Sequence, residues 1–225
     1  GPGILRGIRV KAESPLAYKD VDLRISWDGE QTPSIRAPLD HGFGSRKHRT
    51  LAVGQSEDGW RFLYLPMPFK KQARIALASR ARQPADLSVE LFVEKDALLP
   101  SDVLYLHAHA NQGSFLKGGP KMGKPELRLE DFYYQVGYPA LDIKEAGHVA
   151  AYMDLFHCQP ELDEHVFIDD ERTFPDNSWN GTGHEDLFDM AWGHKPVSAP
   201  MTSGGSQSFE EVNVKLFWNN PITFR

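Results

Sequence analysis

The chain reads as an all-β protein, a sandwich or jelly roll, on three observations. Apolar runs are short, several of them alternate apolar with polar residues, and proline and glycine (16 and 19 residues) interrupt them throughout. No stretch keeps apolar spacing at 3.6 residues over three turns. The 225 residues, 40% hydrophobic and 11% aromatic, hold enough apolar material for a sizeable core.

The expected strands are Ile4–Val10, Asp22–Trp27, Gly59–Leu65, Ala73–Ala78, Leu87–Val93, Val103–Ala108, Phe132–Val136, Val149–Phe156, His165–Ile168 and Val212–Trp218. Helix is expected at most as a turn or two, at Pro125–Asp131 and Glu185–Ala191. Asp28-Gly29 is a strong hairpin signal, because a type I′ turn needs positive φ at both central residues. An internal repeat extends the picture. Leu23–Ile35 (LRISWDGEQTPSI) and Val166–Asn177 (VFIDDERTFPDN) each run from an apolar strand into an acidic turn, then Thr and Pro. Leu65–Lys70 (LPMPFK) and Asn220–Arg225 (NPITFR) are a second matched pair. Two copies of one β unit predict two packed antiparallel sandwiches, with an approximate division into residues 1–120 and 121–225. After LPMPFK the chain continues into further strands, whereas after NPITFR it stops, so the second unit is expected to be incomplete.

Composition removes several function classes. A net charge of −6, with acids and bases interspersed, does not suit a nucleic-acid partner. No apolar run reaches the roughly 20 residues of a membrane-spanning helix. The single cysteine, Cys158, excludes an internal disulfide framework and reads as a buried, inert thiol. Localisation is not readable.

The stretch Pro175–Trp192 (PDNSWNGTGHEDLFDMAW) concentrates candidate chemistry. Gly181-Thr182-Gly183 allows a sharp turn, which would present His184, Glu185 and Asp186 beside aromatic side chains. Flat apolar faces next to carboxylates are what a sugar-processing cleft needs, with Trp179, Phe188 and Trp192 as the platform and His184 or Asp186 bonding hydroxyls. Two carboxylates stand out among nine nearby acids, Glu161 beyond the strand ending at Phe156 and Glu185 in the glycine-rich turn. An antiparallel hairpin can return both to one rim. Carboxyls about 5–5.5 Å apart suit a retaining glycosidase, and a wider gap an inverting one.

A second constellation is His107-Ala108-His109, whose His-x-His spacing puts both rings on one face of a strand. A jelly roll can hold a metal this way, but the glutamate expected a few residues later is missing. The two histidines are therefore read as polar, substrate-lining residues, with no metal and no cofactor.

Five blocks in order carry a family resemblance: Gly1-Pro2-Gly3-Ile4, Trp27-Asp28-Gly29-Glu30 with Thr32-Pro33-Ser34, Pro66–Lys71, Gly181–Asp186 and Asn220–Phe224. Together they resemble glycoside hydrolase family 172, formerly a domain of unknown function (2961). The resemblance implies a double jelly roll, incomplete here at both termini, and a homo-oligomer that is a trimer or hexamer. It implies retaining hydrolysis of α-D-arabinofuranosyl or α-D-fructofuranosyl linkages in an oligosaccharide or glycan. It assigns the acid/base to Glu185 and the nucleophile to Glu161. Three departures accompany it: Leu162 for a glycine, His184 for a threonine, and a longer Arg172–Asn180 connection. A shift of register from any of the three would make Glu164 the nucleophile instead. The alternative reading is a non-catalytic glycan-binding or structural jelly-roll protein. A metal-dependent cupin-like enzyme through His107 and His109 is the third.

Overall fold

The computed structural model describes residues 1–43, 49–82, 84–110, 141–154, 165–166, 168–169, 179–180, 187–188, 197–204, 213–217 and 222–224. It bears out the all-β class: the described residues form mainly antiparallel sheets with two short helices. The expected strand Phe132–Val136 and the expected helical turn Pro125–Asp131 lie outside the described residues.

The first sheet is built on β1 (Gly3–Ala12), flanked on one side by β5 (Arg61–Leu63) and β6 (Met67–Phe69) and on the other by β8 (Leu87–Lys95). A further strand, β4 (Val53–Gln55), pairs with β5. The second sheet has the order β7 (Ala73–Ser79), β2 (Val21–Trp27), β3 (Ile35–Pro38), β9 (Ala108–His109). Alternation decides what each strand buries. Along β2, Val21, Leu23, Ile25 and Trp27 are all buried, and with Leu5, Ile8 and Val10 of β1 they belong to one core cluster. Val214 and Leu216 join the same cluster. They come from a third sheet of β11 (Ala151–Asp154), β16 (Asn213–Leu216), β15 (Thr202–Gly204) and β14 (Val197–Ser198). The N-terminal and C-terminal parts of the chain thus share a core.

Both helices escape the sequence expectation. In α1 (Pro15–Asp20), Ser14 caps the start by accepting from Leu16 N–H, and Pro15 occupies the first turn. Tyr18 ties α1 back to β1, its hydroxyl accepting from Ala12 N–H at 3.0 Å, and the Arg61 guanidinium stacks 3.8 Å from its ring centre. The second, α2 (Leu39–Gly42), is one turn that buries Leu39 and lies alongside β11.

Two strand expectations shrink for identifiable reasons. Gly59–Leu65 loses its start to a turn, where Gly59 has φ +87° and Gly59 N–H donates to Ser56 C=O. Of Val103–Ala108, only Ala108 enters a ladder, parallel to β3. Residues 105 and 106 are instead held by side chains: the Trp27 indole N–H donates to Leu106 C=O at 2.8 Å, and the Tyr105 hydroxyl donates to Asp28 at 2.5 Å.

The Asp28-Gly29 turn forms as expected, with φ of +50° and +92° and Glu30 N–H donating to Trp27 C=O at 2.9 Å. It does not close a tight hairpin, however, because the β2–β3 ladder resumes only at Ile25 opposite Ile35. Trp27 is committed to Ala73 of β7. The Glu30 carboxylate bridges the gap by accepting from Trp27 N–H (3.1 Å) and the Ser34 hydroxyl (2.5 Å). Asp28 itself accepts from the backbone N–H groups of Lys70 (3.2 Å), Lys71 (2.7 Å) and Gln72 (3.0 Å), besides Tyr105.

The repeat seen in sequence has a geometric counterpart. Gly3, Ile4 and Leu5 pair with Phe69, Pro68 and Met67. Gly147, His148 and Val149 of β10 (Gly147–Val149) pair with Phe224, Thr223 and Ile222 of β17 (Ile222–Phe224). In both copies a phenylalanine ring lies over the glycine. Three residues further on, the first copy carries a register shift at Arg6, while Ala150 separates β10 from β11. The turn positions match too: Asp169 has φ +53° against +50° for Asp28.

The Asp28 contacts set a pH dependence. Burial raises the carboxyl pKa, but the Tyr105 hydroxyl and the three N–H donors outweigh it and bring it down to about 2. The bonded carboxylate therefore stabilises the fold fully above its unfolded pKa and loses that contribution as pH falls from about 4 toward 2. Asp28→Asn is expected to cost about 1–2 kcal/mol at pH 7 after allowance for solvent screening, and to remove this acid-side slope in urea unfolding followed from pH 7 to pH 2. The glycine contacts predict an asymmetry between the copies. A Cβ on Gly3 would meet the Phe69 ring at 2.6 Å and the Glu94 carbonyl oxygen at 2.8 Å, whereas one on Gly147 meets only the Phe224 ring, at 3.1 Å. A ring can shift and a laddered carbonyl cannot. Gly3→Ala should lose roughly 1–3 kcal/mol in chemical denaturation, and Gly147→Ala distinctly less.

Candidate functional site

The hairpin of β12 (His165–Val166) and β13 (Trp179–Asn180) fixes where the two acidic segments begin. Its pairing is antiparallel, with His165 opposite Asn180 and Val166 opposite Trp179. The chain that enters at residue 164 and the chain that leaves at residue 181 therefore do so at the same end of the ladder. Glu161 lies four residues before His165, and Glu185 lies five residues after Asn180. The residues of the acidic block and of the glycine-rich turn, including Glu161, Glu164, His184, Glu185 and Asp186, lie outside the described residues, as does Trp192. Trp179 is described in its backbone alone.

The glycine-rich motif is also anchored on its far side. Directly after Asp186, the side chains of Leu187 and Phe188 are buried, 7% and 0% exposed, and pack with Tyr152 and Phe217. The Phe188 ring stacks on Tyr152 at 6.0 Å between centres and 25° between planes. Tyr152 lies on β11, whose ladder with β16 pairs it with Lys215. Six residues of sequence, 181–186, separate β13 from this buried pair.

This burial corrects one expectation. Phe188 has no exposed face against which a sugar ring could stack, so it is a packing residue that holds the motif. The sequence shows an aromatic after two acids, and that pattern is the same for a platform and an anchor.

His107 is exposed, and His109 enters β9 opposite Arg36. Residue 107 stands outside the ladder, and His109 is described in its backbone alone. The segment is still fixed in position by the Trp27–Leu106 and Tyr105–Asp28 bonds and by Ala108 N–H donating to Ser34 C=O at 3.0 Å. Among the described residues, no three His, Cys, Asp or Glu side chains converge as metal ligands.

Asp40 was missed by sequence reasoning. It sits on α2 beside β11, and its Oδ1 is buried with no hydrogen-bond partner among the described residues. Buried carboxylate oxygens are rarely left so, and the only sequence signal is an acid within the PLDHGF turn. A separate cleft of about 470 Å³ opens between Val21, Leu77, Leu87 and Arg82. Its lining holds no carboxylate, so it lacks the acid pair that glycoside chemistry requires.

Comparison with known proteins bears on the N-terminal half. Residues 1–91 match the family model described as GH172 domain-like, in agreement with the resemblance read from the motifs. The match covers β1 to β7 and ends within β8, so it includes the Asp28 turn and stops short of both candidate glutamates. No curated protein matches the chain.

Phe188→Ala is expected to lower stability by about 3–5 kcal/mol in chemical denaturation, the usual cost of emptying a buried phenylalanine site. A ring that served only to stack on sugar would instead raise KM and leave the unfolding midpoint unchanged.

Proposed function

We propose, on the premise that residues 1–91 carry a GH172-like domain, that the protein is a glycoside hydrolase acting on α-furanosyl linkages. The substrate class is an α-D-arabinofuranosyl or α-D-fructofuranosyl glycan. The reading takes the whole chain as a double jelly roll, with residues 1–120 and 121–225 as the two rolls of one unit, assembled as a trimer or hexamer. One observation carries it: the β12–β13 ladder attaches the Glu161–Glu164 block and the Gly181–Asp186 motif at the same end.

Glu161 is the nucleophile, attacking the anomeric carbon to form a glycosyl-enzyme ester. Glu185 protonates the departing oxygen and then takes a proton from the water that cleaves the ester, which retains configuration. These tasks require different environments: Glu185 held protonated near neutral pH, Glu161 ionised. Leu162 bears directly on the nucleophile, since it replaces the glycine of the resembled block, and Glu164 is the alternative carboxylate. Trp179 and Trp192 supply apolar surface, while His184, Asp186, His107 and His109 bond sugar hydroxyls.

A second reading has its own support. Leu162 and His184 both depart from the resembled pattern within the acidic segments, which suits a glycan-binding protein without turnover.

Aryl α-D-arabinofuranoside and aryl α-D-fructofuranoside distinguish the two. Hydrolysis by the wild-type protein is expected, with Glu185→Gln and Glu161→Gln each lowering kcat by roughly 10²–10⁴-fold. If Glu161→Gln is active and Glu164→Gln is not, the nucleophile moves to Glu164. Turnover that survives both glutamine variants would rule out the assignment, and glycan binding without hydrolysis favours the binding protein.

A further inference from the structure

Strand β8 is exposed in an unusual way. Its pairing with β1 sets Val93 opposite Leu5, Leu91 opposite Ile8 and Val89 opposite Val10. Those three β1 residues are fully buried at 0%, which makes theirs the core-facing side of the sheet. Yet Val89, Leu91 and Val93 on that same side are 38%, 43% and 45% exposed. Phe92, on the opposite side across from Gly7, is 40% exposed. A strand lacking a covering layer would expose one side only. One whose two sides are equally open lacks a lateral neighbour, and among the described residues β8 pairs with β1 alone.

The middle of β8 carries no guard for this edge, and its one lysine, Lys95, stands at the far end. Exposed edge strands are usually blunted by proline, by free charges or by short length. Here the strand runs for nine residues, Leu87–Lys95, without proline. Its two acids are drawn back onto β1, Glu90 bonding Arg9 at 2.7 Å and Glu94 bonding Arg6 at 2.5 Å.

The sequence of β8 selects the occupant. Read outward from Leu91, the core-facing residues are Val89 and Val93, then Leu87 and Lys95. A second β8 laid antiparallel about a two-fold axis through Leu91 would set Leu91 against Leu91 and Val89 against Val93. The outer side would set Glu90 against Phe92 and Ser88 against Glu94, so no two like charges would face each other. A two-fold contact requires this self-complementarity, and strand addition supplies backbone hydrogen bonds along its length.

We propose that β8 is a two-fold contact, as between the halves of a hexamer, in which the β8 strands of two copies of this chain pair antiparallel about Leu91 and join two β1 sheets edge to edge. The contact does not depend on the chemistry proposed for the acidic segments, and its failure would leave that chemistry untouched.

Site-specific cross-linking tests it. In a Cys158→Ser background, Leu91→Cys places two thiols about 4.5–5.5 Å apart by Cβ, within reach of oxidation or of a short thiol cross-linker. Val89→Cys places them four residues out of line, about 13 Å apart. The expected result is a covalent dimer for position 91, little for position 89, and at least tenfold weaker self-association for Leu91→Lys by sedimentation. Circular dichroism and thermal unfolding check that the lysine variant is folded. If it is not, the cysteine result decides, because that substitution keeps the edge apolar. A monomer at tens of micromolar overturns the proposal. So does a trimer or other oligomer that leaves position 91 unlinked.

Discussion

The Asp28 carboxylate is the constraint on which the N-terminal architecture turns. Four donors converge on it from two distant segments of the chain: Lys70–Gln72 between β6 and β7, and Tyr105 after β8. Those two segments border the strands of both sheets, so one side chain ties β2, β6, β7 and the 105–109 segment into a single corner. The left-handed backbone at Asp28 and Gly29 is what aims the carboxylate there. Aspartate tolerates that conformation better than most residues, and a carboxylate can accept all four bonds where an amide oxygen could accept only part of them. The bond to Asp28 also pushes the Tyr105 pKa up to about 12, with burial adding to it. The hydroxyl therefore keeps its proton, and the bond its strength, across the neutral range.

Gly3 and Gly147 illustrate a different kind of constraint. Each sits opposite a phenylalanine at the start of a strand pair, and each leaves room for the ring to lie across the backbone. This was half visible in the sequence. The Phe-basic endings of LPMPFK and NPITFR suggested a repeat, but their partners lie some 66 and 77 residues earlier in the chain, too far for any local pattern to reveal. The matching left-handed turns at Asp28 and Asp169 were likewise implied by the aligned acids and required coordinates to establish. Strand β2 was readable because it alternates over seven residues, and β1, β7 and β8 because each is an apolar-rich run of seven to ten residues. Residues 103–106 are an apolar run that also reads as a strand, yet they enter no ladder: Leu106 C=O accepts from the Trp27 indole, and Tyr105 is held through its own hydroxyl by Asp28. Helix α1 was hidden for the opposite reason: six residues are too few to show a helical period, and only the Ser14-Pro15 cap announces it.

The candidate site was readable as chemistry and much less so as geometry. Glycines, acids and aromatics in Pro175–Trp192 identified the segment, and the hairpin that carries it does return the chain to the end from which the acidic block departs. What the residues could not reveal was the division of labour among the aromatics. Phe188 and Trp192 look equivalent in sequence, but Phe188 is consumed in fixing the motif to Tyr152. Burial depends on partners such as Tyr152 on β11 and Phe217 just after β16, both distant in the chain, so the motif alone does not assign it.

The matched turns at Asp28 and Asp169 differ in the sequence that surrounds them. In the first, the Trp27–Glu30 turn is saturated with internal hydrogen bonds and serves rigidity, since every acceptor on Asp28 is spent within the fold. In the second, Gly29 has an acidic counterpart in Asp170, and a longer connection follows before β13. In the sequence, glycines recur at Gly181 and Gly183, beyond β13 and before the buried Leu187–Phe188 pair. The chain is fixed on either side of residues 181–186, by the ladder at Trp179–Asn180 and by the burial of Leu187 and Phe188 against Tyr152 and Phe217, whereas the turn of the first copy is fixed at its own carboxylate.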